Sequence, residues 1–131
     1  MIIHFFTLGS LRKDLLFLEE SYVKRLHILQ LKITEVKKEK DFEALITKNT
    51  YLLKEQGTLF STEQLKEFFL KETKLEIALS DYYGFSEKVL QKTTRSISLS
   101  PLTLPHDLAR ILFIEQVYRI ETLLINHPYH Y

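Results

Sequence analysis

The sequence alternates between short apolar segments, rich in β-branched and aromatic residues, and longer segments with helical periodicity. The apolar segments lie at residues 1–8, 29–36, 50–53, 75–79 and 95–99. After them come turns and stretches in which apolar residues recur every three or four positions. Strands that alternate with helices in this way are typical of a parallel sheet with helices on both faces. The sequence therefore predicts an α/β fold.

Residues able to cap a helix precede several of the helical segments. Ser10 can cap the first helix, and Ser61 with Gln64 has the form of a capping box. Residues 54–60, which contain Gly57, are expected to form a loop. The segments expected to be helical before the last strand are 11–26, 41–47 and the stretches that follow Ser61 and Ser86.

The last helix, expected over residues 106–126, is apolar on most of its sides. Such a helix is buried on most sides, and a chain of this size has little interior to cover one, so we expect a partner subunit. Two polar stripes interrupt the apolar surface. Arg110 and Glu121 share one stripe, and Glu115 and Arg119 share the other. The second pair is either a simple helix salt bridge or a sign that Arg119 faces a functional site.

Composition excludes several classes of protein. The 131 residues suffice for one domain with a substantial core, and we expect residues 1–131 to form a single domain. The net charge of +1 argues against a strongly basic, non-specific nucleic-acid binder, so an RNA partner would need a local patch. Lys37–Lys40 is either such a phosphate contact or a solvated loop. The absence of cysteine excludes disulfides and fits a cytoplasmic location.

Neither a membrane span nor a signal peptide is expected. The longest apolar runs are far shorter than the roughly 20 residues that a transmembrane helix needs. The N-terminal segment MIIHFFTLGS has no basic residues before its apolar run, so it is expected to be the first strand.

The last third of the chain carries a resemblance to a known family. Residues 98–119 are SLSPLTLPHDLARILFIEQVYR, and residues 126–131 are NHPYHY. The order and spacing of SLSxLTLPH, ExxYR and HPYH resemble the C-terminal end of the ribosomal RNA large subunit methyltransferase H family. These are bacterial SPOUT-class enzymes that methylate N3 of a pseudouridine in 23S ribosomal RNA. The likeness is weaker before residue 95.

The resemblance implies a fold, a cofactor and partners that the residue pattern alone does not. SPOUT enzymes tie their C-terminal segment into a trefoil knot, a rare exception among folds, and bind S-adenosylmethionine in it. They act as homodimers in which the tail of one subunit reaches the cofactor of the other. The implied partners are 23S ribosomal RNA in the ribosome and a second copy of the chain, with neither a membrane nor a metal. Topology favours the same region, because ligands of parallel sheets bind beyond the carboxyl ends of the strands.

Candidate site residues follow from the resemblance by position. Methyl transfer to N3 needs cofactor contacts, together with a general base or a group that stabilises the developing anion. The implied cofactor contacts are Leu53, Asp81, Ser100, Pro101, Leu102, Thr103, Leu104 and Pro105. The catalytic candidates are Arg119, Tyr129 and His130, with His106 and His127 as further possibilities.

The sequence departs from the family pattern on the cofactor and RNA side. Ser80-Asp81 replaces a Gly-Gly pair, Lys54 replaces an acid, and Tyr131 ends the tail where the family has arginine. Two interpretations remain open: a divergent, active enzyme in which Asp81 contacts the ribose or ammonium group of the cofactor, or a degenerate homologue that serves as a ribosome- or RNA-binding module. A SPOUT enzyme for another RNA is a third. The intact segment 100–105 favours the first, because a dead site would be free to drift there.

Overall fold

The computed structural model describes residues 1–129, which form a five-stranded sheet and five helices. The strands are β1 (Ile2–Leu8), β2 (Gln30–Val36), β3 (Tyr51–Leu59), β4 (Lys74–Leu79) and β5 (Ser96–Ser98). The helices are α1 (Lys13–Lys24), α2 (Glu39–Leu45), α3 (Thr62–Leu70), α4 (Glu87–Lys92) and α5 (His106–Leu124). The strands are ordered β2-β1-β4-β3-β5, and every pairing between them is parallel. The predicted α/β class is confirmed.

The core is divided between the two faces of the sheet by the alternation of side chains along each strand. Ile3 and Phe5 of β1 belong to one cluster, which α1, α3 and α5 cover. Phe6 and Leu8 belong to the other, which Phe42 of α2 and Val89 of α4 cover. Helices therefore lie on both faces, as predicted, because strands buried on both sides need a helical layer on each.

Strand β3 corrects one prediction, because residues 54–60 are not simply a loop. The strand continues to Leu59, but Ile97 of β5 pairs with Leu53 and again with Thr58. The intervening residues bulge out of the ladder, which re-aims their side chains toward the carboxyl edge of the sheet. Gly57 is required there, since a Cβ on it would lie 2.9 Å from the carbonyl carbon of Ile97.

The starts of two helices show one correct and one wrong capping prediction. Ser61 and Gln64 form the predicted capping box, each side chain accepting a hydrogen bond from the backbone N–H of the other. Ser10 does not cap α1, which begins at Lys13 with Arg12 in the capping position. The Arg12 N–H instead donates to the Asp107 carboxylate at 3.3 Å, which ties the start of α1 to the start of α5.

Helix α5 is covered largely by its own chain. The polar stripe formed by Arg110 and Glu121 is buried, along with the apolar residues beside it. On a helical wheel, the incompletely buried side chains nearly all fall on one stripe about 120° wide. This stripe, called the open stripe below, consists of Leu108, Ala109, Leu112, Glu115, Gln116, Arg119 and Leu123. A partner subunit would therefore have one side of α5 to cover and not the whole helix.

Two buried charges hold α5 in place. Arg110 donates to Glu19 of α1 at 3.0 Å and to Glu35 of β2 at 2.7 Å, and it reaches the Thr7 hydroxyl at 3.2 Å. The Glu121 carboxylate accepts hydrogen bonds from the backbone N–H groups of residues 27–29 at 2.6–3.0 Å. Those N–H groups precede or begin β2 and need acceptors. The helix is thus fixed at both ends by charge-assisted hydrogen bonds.

Candidate active site

A cavity of about 850 Å³ opens at the carboxyl ends of β3, β4 and β5. Its walls come from the bulge of β3, the segment that follows β4, the segment that follows β5, and the first turn of α5. A volume of this size is within the range of small-molecule sites. The cavity lies where a parallel sheet is expected to bind ligands.

The structure brings nearly all of the predicted cofactor residues to this cavity. Leu53 comes from β3 and Asp81 from the turn after β4. From the segment 100–105, Ser100, Leu102, Thr103, Leu104 and Pro105 line the wall, whereas Pro101 is not among the lining residues. Stretches that are about 20 to 50 positions apart in the sequence therefore meet at one place.

The segment 100–105 is held by hydrogen bonds to itself and to the bulge of β3. The Ser100 hydroxyl accepts from the Leu102 N–H at 2.9 Å, and the Ser100 carbonyl accepts from the Ser98 hydroxyl at 2.9 Å. The Thr103 hydroxyl donates to Glu55 at 2.7 Å. Because Glu55 and its neighbour Gln56 lie in the bulge of β3, they line the same cavity. Sequence reasoning missed both, since nothing in a charged stretch around a glycine signals a bulge.

Carboxylates outnumber cationic groups in the cavity wall. Three carboxylates, those of Glu55, Asp81 and Asp107, line it, against one lysine, Lys54. Leucine is the commonest residue in the rest of the wall, at positions 53, 79, 90, 99, 102 and 104. A lining of this kind suits a ligand that combines an apolar part with a positive charge.

Asp81 is accommodated without a clash. Its Oδ1 atom accepts a hydrogen bond from the Tyr83 N–H at 3.1 Å. On the other side it faces Gly9, where an added Cβ would lie 3.7 Å from the Cβ of Asp81, an ordinary van der Waals distance. The side chain therefore forms part of the wall.

Two of the predicted catalytic residues, Arg119 and Tyr129, lie apart from the cavity of their own chain, whereas His106 lines it. Neither Arg119 nor Tyr129 lines it, and His130 is outside the described residues. Arg119 follows Ala109, a residue of the wall, by ten positions on α5, which corresponds to about 15 Å along the helix axis. Within a single chain, the predicted cofactor contacts are thus separated from Arg119 and Tyr129.

Arg119 takes part in the helix salt bridge that was one of its two interpretations. Its Nη2 atom lies 2.8 Å from Oε1 of Glu115, four residues earlier. The guanidinium also lies over the ring of Tyr129, 4.9 Å from its centroid. The Tyr129 hydroxyl is 3.2 Å from Glu115 and 3.2 Å from the hydroxyl of Tyr22. Glu115 and Arg119 belong to the open stripe, so this cluster lies on the side of α5 that its own chain leaves partly uncovered.

The pKa of Tyr129 is raised well above the ordinary value for a phenol. Burial of the hydroxyl is the main cause, followed by the hydrogen bond with Tyr22 and the negative charge of Glu115. The phenol is therefore protonated throughout the physiological range. Tyr129 can donate a hydrogen bond, but it is not suited to serve as a general base.

Within residues 1–129, no group of three or more histidine, cysteine or acidic side chains could hold a metal ion. Over the same residues, no helix is long and apolar enough to cross a membrane.

Comparison with known proteins decides the family. The sequence profile described as "Predicted SPOUT methyltransferase" matches residues 1–130. Ribosomal RNA large subunit methyltransferase H of Prochlorococcus marinus (strain NATL1A) is 36% identical over 119 residues, covering 85% of this chain and 82% of the relative. The chain belongs to this family of SPOUT methyltransferases.

Two further relatives agree with this assignment. The methyltransferase H of Mycoplasmopsis synoviae (strain 53) is 30% identical over 146 aligned positions, which cover 99% of each chain. That of Christiangramia forsetii is 40% identical over 85 residues, or 61% of this chain and 54% of the relative. The resemblance seen in the last third of the sequence is confirmed, and within the methyltransferase H family it extends over the whole chain.

Proposed function

We propose that this chain is a methyltransferase that transfers the methyl group of S-adenosylmethionine to N3 of a pseudouridine in 23S ribosomal RNA. The observation that carries the proposal is the cavity formed by residues 100–105 and the bulge of β3, in a chain of the methyltransferase H family. The relatives are named ribosomal RNA large subunit methyltransferase H, which supports the choice of substrate.

The residues of the cavity fit S-adenosylmethionine. When bound, this cofactor supplies an electrophilic methyl group on a positively charged sulfur. The leucines of the wall, among them Leu53 and Leu102, would hold an aromatic base, and segment 100–105 offers backbone polar groups beside them. Asp81 and Glu55 would balance the positive charge of the ligand.

A second subunit completes the site in this proposal. The open stripe of α5 carries three leucines around the Glu115–Arg119 pair, and a copy of the same chain could cover it by two-fold symmetry. Arg119 and the C-terminal tail of one protomer would then face the cavity of the other. There, the Arg119 guanidinium would stabilise the negative charge that develops on the pyrimidine as N3 loses its proton.

The remaining chemistry is a displacement at the methyl carbon. N3 of the pseudouridine would lose its proton to a base of the protein and take the methyl group that bound S-adenosylmethionine would supply, leaving S-adenosylhomocysteine. We assign the role of base to His130, because the raised pKa of Tyr129 makes the phenol a hydrogen-bond donor and not a base. The protein supplies much of the rate by holding the reacting atoms in line.

We also propose that the chain around residues 97–105 is knotted through the bulge of β3. The double pairing of Ile97 with Leu53 and Thr58, and the hydrogen bond from Thr103 to Glu55, support this arrangement. Action on ribosomes would place the protein in the cytoplasm.

A second candidate function is a ribosome- or RNA-binding module without catalysis. Asp81 favours it, because this side chain stands in the cavity wall where the family pattern has a Gly-Gly pair. The two candidates differ in cofactor binding, so one measurement separates them.

Calorimetric titration with S-adenosylmethionine and S-adenosylhomocysteine tests the proposal, followed by methyl transfer to ribosomes from a bacterial strain that lacks methyltransferase H. We expect saturable binding and one labelled pseudouridine in 23S ribosomal RNA, located by mass spectrometry of nuclease fragments. If neither cofactor binding nor a labelled pseudouridine is detected, the result would favour the binding module without catalysis. A label in a different RNA would contradict the proposed substrate.

A further inference from the structure

Two nearly fully exposed tyrosines stand at the mouth of the cavity. Tyr82 is 83% exposed and Tyr83 is 89% exposed. Their rings meet edge to face, with centroids 5.4 Å apart and an interplanar angle of 89°. Tyr82 also lines the cavity. Two aromatic rings left in water beside a cavity form an unsatisfied binding surface, because aromatic side chains gain much from burial.

A hydrogen-bonded turn presents the two rings. The Gly84 N–H donates to the Asp81 carbonyl at 3.1 Å, and the Tyr83 N–H donates to the Asp81 side chain at 3.1 Å. The Ser80 hydroxyl donates to the Gly84 carbonyl at 2.6 Å. Gly84 has a φ of 80°, a conformation that favours glycine. Because the backbone is already ordered, a ligand that binds the rings has little loop entropy to overcome.

A lysine-containing segment lies at the same edge of the sheet as the two rings. The Gly9 N–H donates to the Val36 carbonyl at 2.8 Å, and Gly9 also faces Asp81. The basic turn that follows Val36 therefore begins two strands away from the tyrosine turn, which is about 10 Å at the usual strand spacing. Lys37 and Lys38 of that turn, and Lys40 in the first turn of α2, are exposed and, among residues 1–129, form no ion pair.

Exposed aromatic rings beside unpaired lysines match the chemistry of single-stranded RNA. Unpaired bases stack on aromatic side chains whatever their sequence, while lysines neutralise the phosphates. A base that receives a methyl group must also leave its stack to enter a cavity, so its neighbour loses a stacking partner. The tyrosine turn, beside the cavity, offers such a neighbour an aromatic surface.

We propose that Tyr83, braced by Tyr82, stacks on an unpaired base of the ribosomal RNA next to the nucleotide to be methylated, with Lys37, Lys38 and Lys40 on the adjoining phosphates. This inference rests on the proposed function. Tyr83 acts in substrate binding and takes no part in methyl transfer itself.

The first test is the pair of variants Tyr83→Ala and Tyr83→Phe in steady-state methylation of ribosomes. Loss of one stacked base should raise the KM for ribosomes about 5- to 150-fold in Tyr83→Ala. The kcat and the affinity for S-adenosylmethionine should stay close to wild type, since Tyr83 is not a residue of the cavity wall. Tyr83→Phe keeps the stacking surface and should retain the wild-type KM. Leu70→Ala is the matched control, because Leu70 is 57% exposed at the end of α3 that leads into the opposite edge of the sheet.

The second test does not depend on methylation. Tyr83→p-benzoylphenylalanine is irradiated with ribosomes, and the cross-linked product is identified. A cross-link to 23S ribosomal RNA supports the inference even if the wild type proves unable to methylate, in which case only the proposed activity fails. An unchanged KM in Tyr83→Ala, or a cross-link confined to ribosomal proteins, would overturn it.

Discussion

At the scale of single residues, the position of Thr103 matters more than its chemistry. Thr103 is exposed to solvent, yet it lines the cavity wall, and its hydroxyl ties segment 100–105 to Glu55. An exposed side chain can be enlarged without disturbing the core, so cofactor binding and folding can be separated here.

Thr103→Arg should therefore abolish binding of S-adenosylmethionine while the protein stays folded. The long cationic side chain would fill the cavity and repel a positively charged ligand. Calorimetric titration measures the affinity, and thermal unfolding followed by circular dichroism measures the fold. Thr103→Ser keeps the hydroxyl that bonds Glu55 and should bind normally. Unchanged affinity in Thr103→Arg would mean that the cofactor binds elsewhere.

Tyr129 should be among the last phenols of the folded protein to ionise. An ordinary phenol has a pKa of about 10, and burial, Tyr22 and Glu115 raise the pKa of Tyr129 above this value. Because the folded state then holds the proton more tightly than the unfolded state, this stabilisation is present below about pH 10 and is lost as the pH rises further. Absorbance titration at high pH should show a late-ionising phenol that is absent in Tyr129→Phe. Identical titration curves would contradict the assignment.

At the scale of elements, α5 is positioned by Glu121, whose carboxylate is almost completely buried, with 1% exposure. It supplies acceptors for three backbone N–H groups, those of His27, Ile28 and Leu29. Removing it would leave these donors unsatisfied in the interior, and each such loss costs about 1–3 kcal/mol.

Glu121→Ala should accordingly lower the free energy of unfolding by roughly 3–5 kcal/mol, the cost usual for breaking a buried charged interaction. Denaturant unfolding measures the change. Glu67→Ala is the control, because Glu67 makes only a long surface contact of 3.8 Å with Lys66, and its effect should be close to zero. Equal stability of the two variants would show that water replaces the carboxylate.

The same element shows what sequence can and cannot predict. The periodicity of α5 and the capping box at Ser61 depend on residues three or four apart, so local rules predict them. The burial of Glu121 and of the Arg110–Glu19 pair depends on partners more than 90 positions away. A charged side chain on a helix is expected to be solvated until its distant partner is known.

The candidate site also contains some residues that the sequence predicts and others that it does not. Segment 100–105 is predictable because a recognisable motif lies after a strand, where parallel sheets bind ligands. The contribution of Glu55 is not predictable, because it requires β3 to pair twice with Ile97 around a bulge. No local pattern encodes the register of two strands that are about 40 residues apart.

At the scale of the whole molecule, the open stripe of α5 predicts association. Leu112 and Leu123 lie on it beside the Glu115–Arg119 pair, only partly covered by their own chain. Leu112→Arg should therefore shift the protein from dimer to monomer in analytical ultracentrifugation, because an arginine would be desolvated without a partner in the interface. Leu70→Arg, on α3, is the control and should sediment like wild type. A wild-type protein that sediments as a monomer would contradict the composite site.

A shared site also predicts complementation between two inactive variants. Thr103→Arg removes the cofactor cavity of its own subunit, and Arg119→Ala removes the guanidinium offered to the neighbour. In a two-fold dimer of one subunit of each kind, the intact cavity of the Arg119→Ala subunit receives Arg119 from the Thr103→Arg subunit, which leaves one working site of two.

The two variants are mixed in equal amounts, denatured and refolded together, so that half of the dimers contain one subunit of each kind. Each of these dimers has one working site of two, so about a quarter of the wild-type methylation activity should return. If Arg119 instead served the cavity of its own chain, every subunit would lack one necessary part and no activity would return. Mixing the two variants under conditions that keep dimers intact provides the control, because exchange of subunits is needed for recovery.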